Sequence, residues 1–355
     1  MDEVAVLERL VREYSPSGAE ERAVREFCRI AVGLGYRARM DRAGNGIALR
    51  GRGRPRIVFL GHIDTVPGRI PVGRRHGRVI GRGAVDAKGA LAAALVAGSD
   101  FAGPGSLEVI ASVGEETDSR GARALSRRRG VDAVIAGEPN RWDGVGVGYK
   151  GCFRLAATFR GPARHLSSPY PTSADRALEW VARLRASAFP APNASPFRSL
   201  VMKVAGVRTE VATRDATTVT IDVRLPPGTS FRNVLALVPR ARGEPELRSI
   251  ARIEPWESDA RSPAVAALVA AIRAEGARPT LWRKAGTSDL NLVAPAWKCP
   301  AAVYGPGDPH LDHTAHEALS ERDLARAVRV LRRAFGTLAQ GGTVTGGSAR
   351  APRRP

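Results

Sequence analysis

Histidines and carboxylates follow several short apolar runs of the sequence, at the positions where the strands of a predicted sheet would end. His62 and Asp64 follow one run, Glu115 and Glu116 follow the next, and Asp86 follows a glycine-rich loop between them. The remaining candidates are Glu138 and three histidines of one C-terminal loop, His310, His313 and His316. Ligands of open α/β sheets bind at the carboxyl ends of the strands. Imidazole and carboxylate donors suit zinc or a similar divalent ion, and a pair of ions needs a bridging carboxylate.

Each of these residues also has a structural explanation when it is considered alone. A His-x-Asp pair can form a surface hydrogen bond, and Asp86 is well placed to cap the helix that follows it. Adjacent acids such as Glu115 and Glu116 are favourable at the start of any helix. Their occurrence together, at the ends of consecutive strands and with a histidine-rich loop downstream, favours a metal site over these separate explanations.

The apolar pattern around the candidate residues predicts alternating strands and helices, which implies a mostly parallel sheet flanked by helices. The predicted strands are 56–60, 107–113, 131–136 and 300–304, and the predicted helices are 19–34, 87–96, 120–128, 263–275 and 321–335. The stretch Ser17-Gly-Ala-Glu20 matches a capping box, which predicts the start of the first of these helices. Arg127 to Arg129 are most simply a solvated helix end.

The pattern changes after residue 151, where shorter alternating segments begin. Strands near 153–159, 217–224 and 246–253 and helices near 173–185 and 231–240 stand out in a segment that we interpret as having the β-α-β-β-α-β order of a ferredoxin-like domain, with one strand not assigned a range. A chain of 355 residues is long enough for two domains. The predicted domains are a first domain at 1–151 and 256–340, an inserted domain at 152–255, and a disordered basic tail at 341–355.

Arginine accounts for most of the strong positive charge of the chain. The formal net charge is +20, the isoelectric point is near 11.2, and only five of the 55 basic residues are lysines. Because the excess runs through the whole sequence, a genome-wide codon bias explains it at least as well as a function does. The sequence lacks interleaved aromatics and any recognised nucleic-acid module, so we expect acidic partners or substrates and no nucleic acid.

The sequence also bears on location. No apolar stretch approaches the roughly 20 residues that a membrane-spanning helix requires, so we expect no membrane insertion. The first ten residues are acidic and amphipathic, unlike a secretory signal. Three scattered cysteines without a CxxC pair favour a reducing cytoplasm.

Five motifs resemble those of the co-catalytic zinc aminoacylase and carboxypeptidase family, which includes acetylornithine deacetylase and succinyl-diaminopimelate desuccinylase. They are Gly61–Gly68, Gly81–Gly89, Gly114–Glu116, Gly137–Pro139 and Gly286–Asp289. The resemblance runs in order from about residue 5 to residue 338. Three further stretches, 142–151, 284–291 and 304–308, resemble the branch that releases lysine or ornithine from the acidic amino-group carrier protein LysW.

This resemblance implies a zinc-peptidase-like catalytic domain with an inserted lid and dimerisation domain, and hence a homodimer. It implies two divalent ions, Zn²⁺ in the first place, although Co²⁺ shares the same ligands. The implied activity is hydrolysis of the amide between the C-terminal glutamate of LysW and lysine or ornithine, in lysine or arginine biosynthesis. The alternative within the same chemistry is an N-acetylornithine deacetylase or a succinyl-diaminopimelate desuccinylase. A ligand-binding relative without catalysis is disfavoured, because the complete set of acids and histidines is present.

The resemblance also assigns the metal ligands. Asp86 would bridge the two ions, His62 and Glu138 would complete one site, and Glu116 and His313 would complete the other. The other two histidines of the C-terminal loop would face solvent or lie outside the ligand shell.

Other positions acquire roles in catalysis and substrate binding. Glu115 matches the general base, which takes a proton from the attacking water and delivers it to the leaving amine. Asp64 would fix the tautomer of His62. His165 matches a lid histidine that stabilises the oxyanion in a neighbouring subunit. The residues assigned to substrate binding are Arg224, Thr287, Ser288 and Lys284, with Lys150 as a further contact or simply a solvated side chain.

Overall fold

The chain divides into two units, and the computed structural model describes residues 1–165, 167–189, 195–211, 214–238 and 245–341. Among the described residues, the first unit comprises 1–147, 258–282 and 293–341. The second unit comprises residues 148–257 and 283–292. The predicted tail from residue 342 onward and the end of the predicted helix at 231–240 lie outside the described residues.

The helices and strands are numbered in chain order. The helices are α1 Glu3–Arg12, α2 Glu21–Gly33, α3 Lys88–Gly98, α4 Arg120–Leu125, α5 Ser173–Ala188, α6 Phe231–Leu237, α7 Pro263–Ala274, α8 Leu290–Trp297 and α9 Glu321–Ala339. The strands are β1 Arg37–Met40, β2 Gly46–Arg52, β3 Arg56–His62, β4 Gly73–Arg75, β5 Arg78–Ile80, β6 Gly105–Ser112, β7 Ala133–Gly137, β8 Gly144–Tyr149, β9 Gly151–Pro162, β10 Val201–Val211, β11 Arg214–Leu225, β12 Glu246–Ile253, β13 Trp256–Glu257, β14 Thr280–Lys284, β15 Ala301–Val303 and β16 Ala318–Ser320.

Seven strands of one sheet, in the order β1-β2-β6-β3-β7-β15-β8, form the framework of the first unit. Its central strands β6, β3, β7 and β15 are parallel, and the strands on either side pair antiparallel. This largely parallel centre with its helices confirms the predicted α/β class. His62 lies beside Ser112 of β6, and Gly61 lies beside Gly137 of β7, so the three strands end at the same edge.

The alanine-rich helix α3 lies in the interior of the first unit. Every residue of α3 is buried, and the helix contacts α1, α9, β3 and β6. Small side chains allow this close approach: a Cβ at Gly89 would lie 2.5 Å from the carbonyl oxygen of Ala84. The helix begins at Lys88 with Ala87 as its N-cap and without a side-chain cap, so the expectation that Asp86 caps it is wrong.

The capping box predicted for the next helix upstream is also wrong. Helix α2 begins at Glu21, and its N-cap Glu20 makes no side-chain cap bond. The hydroxyl of Ser17 instead donates to the Oδ2 atom of Asp64 at 2.7 Å. The pattern suggested that the hydroxyl accepts a local helix N–H, but it donates to a tertiary acceptor 47 residues away.

The second unit runs β9-α5-β10-β11-α6-β12, the order expected from the sequence. Its antiparallel sheet has the order β10-β11-β9-β12, and α5 packs on β9 and β11. Trp180 of α5 meets Phe159 of β9 edge to face with ring centroids 5.8 Å apart, within a separate apolar core. Within the described ranges, none of the helices combines the length and the apolarity that crossing a bilayer requires.

Two glycines give stability changes of opposite sign when they are replaced by alanine. A Cβ at Gly137 would lie 2.7 Å from Cε1 of Phe59, so Gly137→Ala should lower the free energy of unfolding by about 1–3 kcal/mol. Gly336 lies inside α9 with open space around it, so Gly336→Ala should raise that free energy by up to about 1 kcal/mol. Urea denaturation followed by circular dichroism measures both, and an unchanged or raised free energy of unfolding in Gly137→Ala would contradict the packing at the end of β7.

Candidate metal centre

The carboxyl ends of neighbouring parallel strands supply most of the candidate ligands. His62 is the last residue of β3, Glu138 directly follows β7, and Glu115 and Glu116 follow β6. Because β6, β3 and β7 are adjacent, these side chains leave the sheet at one edge. Asp86 comes from the loop before α3 and completes this part of the cluster.

The Asp86 carboxylate lies between two imidazoles. Its Oδ1 atom is 3.0 Å from Nε2 of His62, and its Oδ2 atom is 3.2 Å from Nε2 of His313. The same Nε2 atom of His313 is 3.0 Å from Oε1 of Glu116. His62 is buried, whereas the side chain of His313 is 52% exposed, so the cluster opens to solvent on the His313 side.

Two of the candidate ligand groups share Asp86. One group is His62, Asp86 and Glu138, and the other is Asp86, Glu116 and His313; within each group the ligand atoms lie within 4.8 Å of one another. Each group combines a histidine nitrogen with carboxylate oxygens, the donor set that zinc and similar divalent ions take in catalytic sites. The donors therefore fit two ions with Asp86 common to both. The ligand atoms of a further group, His62 with Glu115 and Glu116, also lie within 4.8 Å of one another.

The charges of this cluster shift its proton affinities. Burial acts to raise the pKa of Asp86, but hydrogen bonds from His313 and His62 overcome it and hold that pKa below its ordinary value. Hydrogen bonds to Asp86 and Glu116 raise the pKa of His313 to about 10. Burial works to lower the pKa of His62, yet the neighbouring carboxylate of Asp86 raises it well above the usual range. The site thus favours positive charge beside its acids, which is also what a metal cation supplies.

Asp64 joins the segments that carry His62 and the two glutamates. Its carboxylate is fully buried and accepts hydrogen bonds from the backbone N–H groups of Glu115 and Glu116, each at 3.1 Å, and from the hydroxyl of Ser17. The carboxylate was expected to orient His62. The nearer partner of His62 Nδ1 is the backbone oxygen of Asp64 at 2.9 Å, while the carboxylate oxygen Oδ1 lies at 3.7 Å.

A tight turn places the two glutamates. Gly114 adopts φ +77°, a left-handed conformation that favours glycine, and its carbonyl oxygen accepts the N–H groups of residues 117–119. The turn exposes the side chains of Glu115 and Glu116 partly while their amides remain bound to Asp64. Of the two adjacent acids, Glu116 faces the C-terminal loop, with its Oε1 atom 3.0 Å from Nε2 of His313.

The three histidines of the C-terminal loop are not equivalent. His313, with φ +56°, belongs to a candidate metal group, whereas His310 and His316 are exposed and belong to none among the described residues. The backbone N–H groups of His310 and His316 close small turns on Asp308 and Thr314. The structure thus places one histidine of this loop, His313, beside the candidate ligands Asp86 and Glu116.

Sequence reasoning missed two residues that build the site. Ser17 was interpreted as a helix cap, and Glu317 was given no role. Glu317 is 1% exposed, and its carboxylate accepts hydrogen bonds from the segment that leads to Asp86. An acid directly before a short strand was the only signal of Glu317, and such a signal is too common to be specific.

The residues predicted for substrate binding all belong to the second unit, as does the predicted lid histidine: His165, Arg224, Lys284, Thr287 and Ser288. Nε of Arg224 pairs with Oδ1 of the buried Asp222 at 2.9 Å. His165 is exposed, with Nδ1 2.7 Å from the hydroxyl of Ser167.

The neighbouring positions in this set differ in exposure. Ser288 is buried, whereas Thr287 and Lys284 are partly exposed. The ammonium group of Lys284 lies 5.9 Å from the ring centroid of Tyr149.

Lys150 does not fit either interpretation that the sequence suggested. It is 1% exposed, and its ammonium group donates to the backbone carbonyls of Pro196 and Ser199. A buried lysine with these partners ties two segments of the second unit together, so it is neither solvated nor an open contact for a substrate.

The fold and the candidate centre agree with the comparison to known families. The model of peptidase family M20/M25/M40 matches residues 58–336, and the chain belongs to this family. The structure is similar to the crystal structure of aminopeptidase PepT from Bacillus cereus, with a TM-score of 0.77 and 19% identity over 95% of this chain and 98% of the other. At that identity the similarity concerns the fold.

More similar sequences come from named hydrolases. A putative [LysW]-lysine/[LysW]-ornithine hydrolase of Thermococcus kodakarensis is 35% identical over 337 residues, which cover 93% of this chain and 90% of that protein. A [LysW]-lysine hydrolase of Deinococcus radiodurans is 35% identical over 349 residues, which cover 91% and 93% of the two chains.

Metal content should separate the ligands by their place in the two groups. We expect two ions per chain in the unmodified protein, one in His313→Ala, and a loss of both in Asp86→Ala, because only Asp86 belongs to both groups. His316→Ala is the matched control and should retain two. Plasma mass spectrometry after dialysis against zinc measures the content, and two tightly held ions in Asp86→Ala would contradict a shared carboxylate.

Proposed function

We propose that this protein is a metal-dependent amidohydrolase that releases lysine, ornithine or both from LysW by hydrolysing the amide to the C-terminal glutamate of the carrier. The observation that carries the proposal is the similarity, over more than nine-tenths of the chain, to proteins named for this reaction. The cluster around Asp86 supplies the chemistry that such a reaction needs. The pathway would be lysine or arginine biosynthesis.

The candidate ligands divide the chemistry between ions and side chains. His62, Asp86 and Glu138 would hold one ion, and Asp86, Glu116 and His313 the other. When bound, the ions supply Lewis acidity that polarises the amide carbonyl and makes water more acidic. Zinc suits this donor set, and cobalt shares it.

Glu115 is the candidate general base. It lies beside His62 and Glu116 within the cluster, is partly exposed, and has its backbone N–H fixed by Asp64. Its carboxylate would accept a proton as water attacks the amide carbon and would then deliver that proton to the leaving amine nitrogen. One proton thus passes from water to amine through a single carboxylate.

The second unit would recognise the substrate and form a homodimer. Arg224 would grip a substrate carboxylate, because a guanidinium offers parallel donors to two oxygens and Asp222 already orients its inner nitrogen. Thr287, Ser288 and Lys284 would add donors from one short segment, and His165 would stabilise the oxyanion of a neighbouring subunit.

The proposed location is the cytoplasm. The three cysteines are free thiols, as is usual for proteins of a reducing compartment.

Turnover on carrier-linked substrates should exceed turnover on free acylated amino acids. We expect release of lysine or ornithine from LysW to be at least about tenfold faster, in kcat/KM, than deacetylation of N-acetylornithine, and we expect a chelator to abolish both. Mass spectrometry of the released amino acid, with both carrier-linked substrates in parallel, measures the preference. A clear preference for N-acetylornithine would instead indicate a deacetylase.

Replacing the general base should separate metal binding from catalysis. Glu115→Gln should lower kcat by about 100-fold or more while two ions remain bound, because an amide cannot take the proton. Asp118→Asn, three residues along in the same turn and with a side chain 64% exposed, should retain activity. Steady-state kinetics on LysW-linked lysine together with metal analysis tests this, and substantial activity in Glu115→Gln would exclude its role as the base.

A further inference from the structure

Glu317 presents a buried carboxylate to the loop that carries Asp86. Its Oε1 atom accepts hydrogen bonds from the backbone N–H groups of Val85 and Asp86, both at 2.9 Å. Its Oε2 atom accepts from the N–H of Gly83 and from Nη1 of Arg82, both at 3.0 Å. Four donors from five consecutive residues therefore converge on one side chain that is 1% exposed.

The backbone around Glu317 ties the same loop to the segment that carries His313. The carbonyl oxygen of Glu317 accepts the N–H of Gly81 at 3.2 Å, and the strand that follows, β16, pairs antiparallel with β5. His313 lies four residues before Glu317. Side chain and backbone of one residue thus connect the two segments whose ligands, Asp86 and His313, approach to 3.2 Å.

Among the contacts of the described residues, no other side chain accepts hydrogen bonds from the backbone N–H groups of the loop before α3. Helix α3 begins without a side-chain cap, so the amides ahead of it depend on Glu317 for an acceptor. Arg82 is also buried, and it divides its donors between Glu317 and the carbonyl oxygen of Gly68. A charged acceptor is the strongest partner for such a set of donors, and a loop held by several bonds to one group moves as a unit.

We propose that Glu317 is a positioning residue for the metal centre, which fixes the separation between the Asp86 carboxylate and the His313 ring. It would thereby set the affinity with which Asp86, Glu116 and His313 bind their ion. The other group, His62, Asp86 and Glu138, takes two of its members from strand ends and depends on Glu317 only through Asp86. The two ions should therefore respond unequally to a change at Glu317.

This proposal rests on the metal-dependent function proposed above, but its main readout is equilibrium binding and does not require a substrate. Glu317→Gln keeps the shape of the side chain and removes its charge. In either orientation the new NH₂ group faces two N–H donors, so the loop loses two hydrogen bonds. Glu321→Gln is the matched control, because Glu321 also pairs with an arginine, Arg74, but touches none of the loop that carries Asp86.

The test is a titration of the metal-free proteins with Zn²⁺ against a chromophoric chelator, repeated with Co²⁺ to record the visible spectrum. The equivalent that disappears in His313→Ala identifies the ion of Asp86, Glu116 and His313, and we expect it to be the weaker-bound one because the side chain of His313 is 52% exposed. In Glu317→Gln we expect this weaker equivalent to lose about 10–100-fold in affinity, as changes to the partners of metal ligands commonly do. The tighter equivalent should change by less than about fivefold, and the Co²⁺ spectrum of the weaker one should change. At saturating metal, kcat on LysW-linked lysine should recover with KM unaltered. Glu321→Gln should match the unmodified protein throughout.

Two results would overturn the proposal. One is unchanged affinity for both equivalents in a Glu317→Gln protein that has a normal circular dichroism spectrum. The other is an equal loss of both equivalents, which would indicate general damage to the fold. If Glu317→Gln does not fold, Glu317→Asp replaces it: the carboxylate is retained but is one methylene short, so the weaker equivalent should lose at least about fivefold. Unchanged binding in Glu317→Asp would likewise refute the proposal.

The outcome is distinguishable from a failure of the proposed function. If the unmodified protein does not act on LysW-linked amino acids but Glu317→Gln still weakens one ion selectively, only the substrate assignment fails. If the unmodified protein hydrolyses these substrates and Glu317→Gln binds both ions normally, only the role of Glu317 fails.

Discussion

Each oxygen of the Asp86 carboxylate faces one imidazole nitrogen, and this pair of contacts requires three distant segments of the chain to meet. His62 arrives at the end of β3, Asp86 in the loop before α3, and His313 in the loop before β16. A parallel sheet solves this problem, because neighbouring strands end at the same edge whatever the length of the connections between them. The central strands β6, β3, β7 and β15 therefore contribute to the site mainly through the positions at which they end.

Several acids crowd around that point, and like charges at such distances oppose one another. Asp64 and Glu317 relieve the crowding in the same way, since each buried carboxylate is surrounded by backbone N–H groups of a neighbouring loop. Oriented amides stabilise an anion without adding a formal charge. Each acid also gains a second task, because the amides that it binds belong to the residues that precede or carry a candidate ligand. Charge compensation and loop placement are therefore achieved by the same hydrogen bonds.

The sequence predicted the four parallel strands at the centre of the sheet and the helices α2, α3, α4, α7 and α9, because strand periodicity and polar residues after apolar runs are local signals. It did not predict the flanking strands β1, β2 and β8 or the helices α1 and α8. It could not predict partners that are remote in the chain. Ser17 has the spacing of a capping box, yet its acceptor is Asp64. Arg128 was interpreted as part of a solvated helix end, but α4 stops at Leu125 and the guanidinium of Arg128 binds the buried Glu108 of β6. In each case a tertiary partner displaced the local or solvent partner that the pattern suggested, and single-residue patterns carry no information about such partners.

The residues predicted for substrate recognition are remote from one another in sequence but belong to one unit, and the hydrogen bonds of Asn291 explain how. The side-chain amide of this buried residue donates to the carbonyl oxygens of Lys150 and Glu254, near the two ends of the 148–257 segment. The N–H of Lys150 in turn donates to the carbonyl oxygen of Lys284. The short stretch 283–292, with Lys284, Thr287 and Ser288, is thereby fixed to the second unit. The position of this stretch follows from that attachment, whereas the candidate ligands His62, Glu116 and Glu138 lie at or just after the ends of β3, β6 and β7.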